Sequence, residues 1–182
     1  FFIDIGSKEY FRKASKKLKN YFKRPAIFLD RDGVINYHNG YVYSKKKFVF
    51  RNGVTNGLKY LINKKYYIFI VTNQAGIGKK IFTENQFNQL HLFLKKKLYT
   101  EDIYFDDVKY SPYHPLAKIK KYRKSSNLRK PGNLMIIKIQ KKWLINKKKS
   151  FMIGDQLSDK ICAKKSSLYF EFAKKNLFYQ IK

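Results

Sequence analysis

The sequence predicts an α/β fold, a parallel sheet flanked by helices, and three observations carry that prediction. Short apolar runs at Ala26–Leu29, Tyr66–Val71 and Ser150–Gly154 have the length and the aromatic or β-branched content of buried strands. Apolar residues at helical spacing lie between them, so strands and helices alternate. Each run ends in a polar cluster, at Asp30, Thr72 and Asp155, and right-handed crossovers bring those clusters to one carboxyl edge.

In chain order, residues 1–23 form an N-terminal arm in which Ser7 to Lys19 reads as a basic helix. Pro25 leads into the strand 26–29, which runs straight into Asp30-Arg31-Asp32-Gly33. Tyr37 to Phe50 is a loop, and Val54, Leu58, Leu61 and Ile62 mark an amphipathic helix. The strand 66–71 ends in Thr72-Asn73-Gln74-Ala75-Gly76. Thr83 with Gln86 makes a capping box for a helix striped by Phe87, Leu90, Leu94 and Leu98, with His91 expected on its surface. Phe105 to Tyr110 reads as a third strand, followed by a polar loop from Pro112 to Lys130, long enough to be functional. Ile136, Ile139 and Trp143 mark another helix, and the strand 150–154 ends at Asp155, with Asp159 one helical turn further on. Leu168 to Phe172 is the last strand, which makes 24–173 the domain and 174–182 a basic tail.

A chain of 182 residues is long enough for one core, and 44% apolar with 18% aromatic residues excludes a disordered polymer. The net charge of +29 points first to nucleic acid or an anionic surface. The excess is nearly all lysine, however, and it is dispersed along the chain. Only Arg12, Arg24, Arg31, Arg51, Arg123 and Arg129 carry the guanidinium that specific phosphate and base readers favour. A compositional bias accounts for this, and no specific nucleic-acid partner is expected. The single cysteine, Cys162, excludes an internal disulfide and fits a reducing compartment. No apolar run approaches the roughly 20 residues of a membrane span and no signal peptide is visible, so a cytoplasmic location without membrane association is expected.

In an extended backbone, residues i and i+2 project to one side. Asp30 and Asp32 therefore reach into one space while Arg31 turns away, and Gly33 lets the chain leave the strand sharply. Two carboxylates about 4 Å apart repel by roughly 4 kcal/mol at an effective dielectric near 20. A site that must also accept a phosphate needs a cation.

The ordered set Asp30-x-Asp32-Gly33, Thr72-Asn73-Gln74, Arg129-Lys130-Pro131 and Gly154-Asp155 with Asp159 resembles the four motifs of the haloacid dehalogenase (HAD) phosphatase superfamily, over Pro25 to Phe172. Within it, Phe28–Asn36, Gly40-Tyr41-Val42 and Thr72–Ile77 resemble the heptose-bisphosphate phosphatase branch, whose neighbour is the histidinol-phosphatase branch. The resemblance implies a Rossmann-like, HAD-type sheet without a large cap domain. It implies Mg²⁺-dependent hydrolysis of a small phosphorylated sugar, the 7-phosphate of D-glycero-D-manno-heptose 1,7-bisphosphate, on the way to nucleotide-heptose for lipopolysaccharide or another surface glycan. Asp30 then attacks phosphorus and becomes an aspartyl phosphate, while Asp32 protonates the leaving oxygen and later activates water. Asp30, the main-chain carbonyl of Asp32 and Asp155 hold Mg²⁺, with Asp159 in support or capping a helix. Thr72, with the Asn73, Gln74 and Ala75 segment, holds phosphoryl oxygens, Lys130 neutralises their charge, and Arg129 grips a second phosphate. His38, Asn39, Gly40 and Tyr41 line the substrate mouth.

The branch usually carries a zinc-binding Cys-x-His…Cys-x-Cys set in the loop before Arg129. Ser111, Tyr113, Ser126 and Leu128 stand there in this chain, so no zinc is expected. Separately, Phe2 to Tyr10 with Ala14 resembles the closing segment of sugar-phosphate nucleotidyltransferases, which implies fusion to such a domain. A histidinol-phosphatase, a polynucleotide 3′-phosphatase and a basic nucleic-acid-binding module are the alternative functions.

Overall fold

Strand β1 (Ala26–Leu29) is buried at every position, because the chain on either side of it pairs with further strands. The structure, a computed structural model, describes residues 7–182, so the Phe2–Gly6 part of the nucleotidyltransferase-like segment lies outside the described residues. Helix α1 (Lys8–Tyr21) is capped by the Ser7 side chain, which accepts from the Tyr10 N–H.

The other strands are β2 (Tyr67–Asn73), β3 (Asp107–Ser111), β4 (Phe151–Gly154) and β5 (Tyr169–Phe172). They form one parallel sheet in the order β3-β2-β1-β4-β5. The order reverses between β1 and β4, and an open α/β sheet has its crevice at the carboxyl end of such a seam. Helices α2 (Val54–Asn63) and α4 (Glu84–Tyr99) lie between the first three strands, α5 (Leu134–Lys142) and α6 (Leu157–Lys165) between the last three. Side-chain alternation along β1 divides the core accordingly. Ile27 and Leu29 pack with Leu58, Leu61 and Leu98 on one face, and Ala26 and Phe28 with Met135, Ile139 and Cys162 on the other.

The capping box on α4 is formed as expected, and Phe87, Leu90, Leu94 and Leu98 are its buried stripe. His91 departs from its expected surface position. It is half-buried, its ring lies 4.3 Å from that of Phe87, and its Nε2 is enclosed. The third strand begins at Asp107 rather than Phe105, whose ring packs under the sheet instead. A one-turn helix, α3 (Ala75–Gly78), follows β2 and is too short for any periodicity to announce. The segment read as a basic tail carries a helix, α7 (Leu177–Ile181), whose Leu177 is buried against α2 at Gly57. Its apolar side chains outweigh the lysines around them. No helix among the described residues is long and apolar enough to cross a membrane.

Candidate active site

The carboxyl ends of β1, β2 and β4 surround a cleft of about 380 Å³ lined by Asp30, Asp32, Thr72, Asn73, Gln74, Ala75 and Asp155 on its floor. His38, Gly40 and Tyr41 reach it from the loop after β1, and Arg129 from the loop after β3. Asn39 is exposed and does not line the cleft.

Asp30 continues the β1–β4 pairing, since its N–H donates to the Ile153 carbonyl at 3.1 Å. The Lys130 ammonium, 2% exposed, lies 2.8 Å from Asp30 Oδ2 and 2.6 Å from Asp159 Oδ1. Burial pushes the Asp30 carboxyl up, against the opposing pull of Lys130. Burial alone would push Lys130 down, but Asp30 and then Asp159 outweigh it and hold the ammonium above its ordinary value. Asn73 fixes Lys130 by both ends of its amide, accepting from the Lys130 N–H at 3.0 Å and donating to the Lys130 carbonyl at 3.1 Å. That commitment makes the Asn73 side chain a brace for Lys130 rather than a free phosphate ligand.

Asp32 faces the same cleft and is held from behind. Arg31 Nη2 reaches both its oxygens at 2.9 Å, Asn36 donates to Oδ1 at 2.9 Å, and Gln74 Nε2 donates to Oδ2 at 2.9 Å. Burial would raise this carboxyl, but Arg31, helped by the Asn36 and Gln74 donors, wins and holds it below the ordinary carboxylate range. Arg31 leaves the cleft as expected, yet it does not reach solvent: it is wholly buried and curls back onto Asp32. The Gln74 amide is likewise engaged, donating to Thr72 Oγ1 at 3.0 Å as well as to Asp32.

Oxygens of Asp30, Asp155 and Asp159 lie within 4.8 Å of one another. Asp159 is already committed: Oδ1 pairs with Lys130, and Oδ2 accepts from the Gln156 N–H at 3.0 Å and so caps α6. Asp30 and Asp155 remain facing the cleft, and hard carboxylate oxygens suit Mg²⁺. Gly33, at φ +82°, permits this approach, because a Cβ there would overlap Asp155 Oδ2.

Five cleft residues escaped the sequence reading: Val42 from the loop after β1, Lys79 from the end of α3, His114 from the loop after β3, and Gln156 with Ser158 at the start of α6. Only the Ala75–Gly78 turn and the folded 112–130 loop bring Lys79 and His114 to the mouth beside Arg129. The His114 imidazole is held below its ordinary value by desolvation and then by Lys79 and Arg129. Among the described residues neither Lys79 nor Arg129 has an ion-pair partner, which leaves a cationic wall facing the carboxylate floor. In the loop itself, Tyr113 and Tyr122 stack edge to face at 5.6 Å, and Arg123 Nε donates to the Ala117 carbonyl at 2.7 Å. Ser111, Tyr113, Ser126 and Leu128 offer no thiolate or imidazole, and the only cluster of potential metal ligands among the described residues is the aspartate one.

The sequence profile of the family described as "Polynucleotide kinase 3 phosphatase" matches residues 26–178. A D-glycero-beta-D-manno-heptose-1,7-bisphosphate 7-phosphatase from Rhodopseudomonas palustris is 38% identical over 146 residues, which cover 80% of this chain and 81% of that protein. Its counterpart from Photorhabdus laumondii is 42% identical over 135 residues, covering 74% of this chain and 72% of the relative. The fold is similar to that of the D,D-heptose 1,7-bisphosphate phosphatase from B. bronchiseptica, solved with magnesium and phosphate. That comparison has a TM-score of 0.74 at 21% identity and covers 86% of this chain and 84% of that one.

Proposed function

Because this chain belongs to the D-glycero-beta-D-manno-heptose-1,7-bisphosphate 7-phosphatase family of HAD hydrolases, we propose that it removes the 7-phosphate of a heptose 1,7-bisphosphate. The observation that carries the reading is the pairing of a carboxylate floor, Asp30 with Asp32, and a wall of unpaired cations, Lys79 with Arg129. A monophosphate needs only the floor, whereas a bisphosphate uses both.

In this reading an Asp30 oxygen attacks phosphorus in line, forming an aspartyl phosphate as the sugar oxygen departs. Asp32 gives that oxygen a proton, then takes one from the water that cleaves the aspartyl phosphate. Arriving phosphate, itself anionic, pushes the Asp32 carboxyl up from its low resting value and so favours its uptake of a proton. Thr72 and the main-chain amides of the 73–75 segment orient the phosphoryl oxygens, and Lys130 offsets the charge that builds on them. Asp30, Asp155 and the Asp32 carbonyl would hold Mg²⁺, which when bound cancels repulsion between carboxylate and phosphate. Arg129 meets the second phosphate, with Tyr41 and His38 along the sugar.

The reaction belongs, in the same reading, to nucleotide-heptose synthesis in the cytoplasm. Residues 24–173, joined by the α7 segment that packs on α2, then form the phosphatase unit, and the arm 1–23 closes a nucleotidyltransferase domain, supported by the Phe2–Ala14 resemblance. The matching family profile supports a polynucleotide 3′-phosphatase as the second reading. A panel of heptose 1,7-bisphosphates of both anomers, histidinol phosphate and 3′-phosphorylated oligonucleotide, assayed with Mg²⁺, separates them. The highest kcat/KM on a heptose bisphosphate is expected, and a preference for the oligonucleotide or for histidinol phosphate would overturn the proposal.

A further inference from the structure

Arg31 is the largest wholly buried side chain among the described residues, yet neither the floor nor the wall of the cleft uses it. Its Nε and Nη2 grip Asp32 Oδ1 at 3.1 and 2.9 Å, and Nη2 also meets Asp32 Oδ2 at 2.9 Å. The same Nη2 donates to the Val42 carbonyl at 2.7 Å and lies 3.3 Å from Gln74 Oε1. One guanidinium therefore ties together the loop after β1, the segment after β2 and the Asp32 carboxylate. Behind it stands α4. The guanidinium carbon lies 5.6 Å from the centre of the Phe87 ring, and the His91 ring lies 4.3 Å from that same ring, tilted to it by 40°. Arg31 Nη1 and His91 Nε2 are both enclosed without a hydrogen-bond partner, the first a donor and the second an acceptor in the neutral Nδ1–H tautomer. Burial, followed by the charge of Arg31, holds His91 neutral.

We propose that Arg31, backed by Phe87 and His91, is the positioning residue that aims Asp32 at the leaving oxygen of the substrate. The inference rests on the acid–base role of Asp32 in the proposed mechanism. A bidentate fork fixes the carboxylate plane as well as its place, which a point cation cannot do. In the step concerned, the bond between phosphorus and the sugar oxygen breaks, the Asp32 proton moves to that oxygen, and an Asp30 lone pair forms the new bond to phosphorus. A misaimed Asp32 therefore harms poor leaving groups, which need the proton, and spares good ones, which do not.

The test compares kcat/KM for a sugar phosphate and for p-nitrophenyl phosphate, since kcat/KM extends only to the first irreversible step, departure of the leaving group. General acid catalysis is worth about 10²–10⁴-fold. Asp32→Asn is expected to lose about 10³-fold on the sugar phosphate and far less on p-nitrophenyl phosphate. Arg31→Lys keeps the charge without the fork, and is expected to lose about 100-fold on the first substrate and no more than about threefold on the second. His91→Phe keeps the stack but removes the nitrogen, and is expected to lose about fivefold on the sugar phosphate alone. Equal losses on both substrates from Arg31→Lys, or none, overturn the proposal; if that variant does not fold, the same outcomes from His91→Phe do so. Asp32→Asn without leaving-group selectivity brings down the acid–base reading itself, and the inference with it.

Discussion

Replacing Lys130 by methionine keeps most of the side-chain length and volume and removes only the buried charge. Two ion pairs go with it, at 2.8 Å to Asp30 and 2.6 Å to Asp159, leaving two enclosed carboxylates facing each other. Removing one partner of a buried pair costs about 3–5 kcal/mol. In a chain of this length each kcal/mol lowers the melting temperature by about 2–4 °C, so a fall of about 6–20 °C is expected at neutral pH without divalent metal. The pH dependence has a definite sign. Burial already raises Asp30, and without Lys130 its folded value rises further above the unfolded one. Such a carboxyl costs stability above its unfolded pKa, and the cost fades as falling pH protonates it. The deficit is therefore largest near about pH 8 and narrows toward about pH 5. Added Mg²⁺ is expected to recover more of it in the variant than it adds to the wild type. Thermal unfolding at the two pH values, with chelator and with Mg²⁺, is the assay. A variant that melts within about 3 °C of the wild type at pH 8, with no narrowing at pH 5, would refute the reasoning.

Asp30→Asn is isosteric but cannot attack phosphorus, so turnover of every phosphate ester is expected to disappear while Lys130 keeps its pair with Asp159 and the fold survives. Circular dichroism and a phosphate-release assay check both halves. The His91 imidazole is pushed down to about 3, below its ordinary value near 6.5, so the unfolded chain takes up a proton first as the pH falls. Wild-type stability then falls below about pH 6.5 by up to about 1.4 kcal/mol per unit from this group, and His91→Phe is expected to show a flatter slope in urea titrations between about pH 6 and 4. With Ser111, Tyr113, Ser126 and Leu128 in place of zinc ligands, protein purified without chelator is expected to carry far less than one zinc per chain by elemental analysis. Stoichiometric zinc would mean that other ligands hold the loop.

The strands were legible because a sheet covered on both faces writes them as continuous apolar runs, and Ala26–Leu29 is buried throughout. The convergence of Asp30, Thr72 and Asp155 followed from alternation alone, without knowledge of the strand order. Arg31 was half legible. Its direction away from the cleft follows from strand geometry, but its burial depends on Phe87 and His91, which arrive from a helix more than fifty positions away. A charged residue between two aspartates looks solvated until that helix is placed. The amides of Asn73 and Gln74 sit where phosphate ligands were expected, and only the folded loop reveals that Lys130 and Asp32 have already claimed them. Lys79 and His114 carried no local pattern at all, since the cationic wall is assembled from separate turns. Helix α7 spans five residues, too few for a period to show among lysines.

Three of the twelve acidic residues, Asp30, Asp32 and Asp155, converge on the floor of one cleft, with a fourth, Asp159, buried behind them, in a protein of net charge +29. The two ligands of that cleft therefore approach through opposite fields. At a distance of a Debye length or more, a phosphorylated substrate is drawn in and a divalent cation is repelled, and only within contact range does the aspartate floor reverse the sign for the metal. Added salt screens the distant field but leaves direct coordination nearly untouched. Rising ionic strength should thus slow substrate association while easing metal entry, so the two rate constants run in opposite directions along a single salt titration.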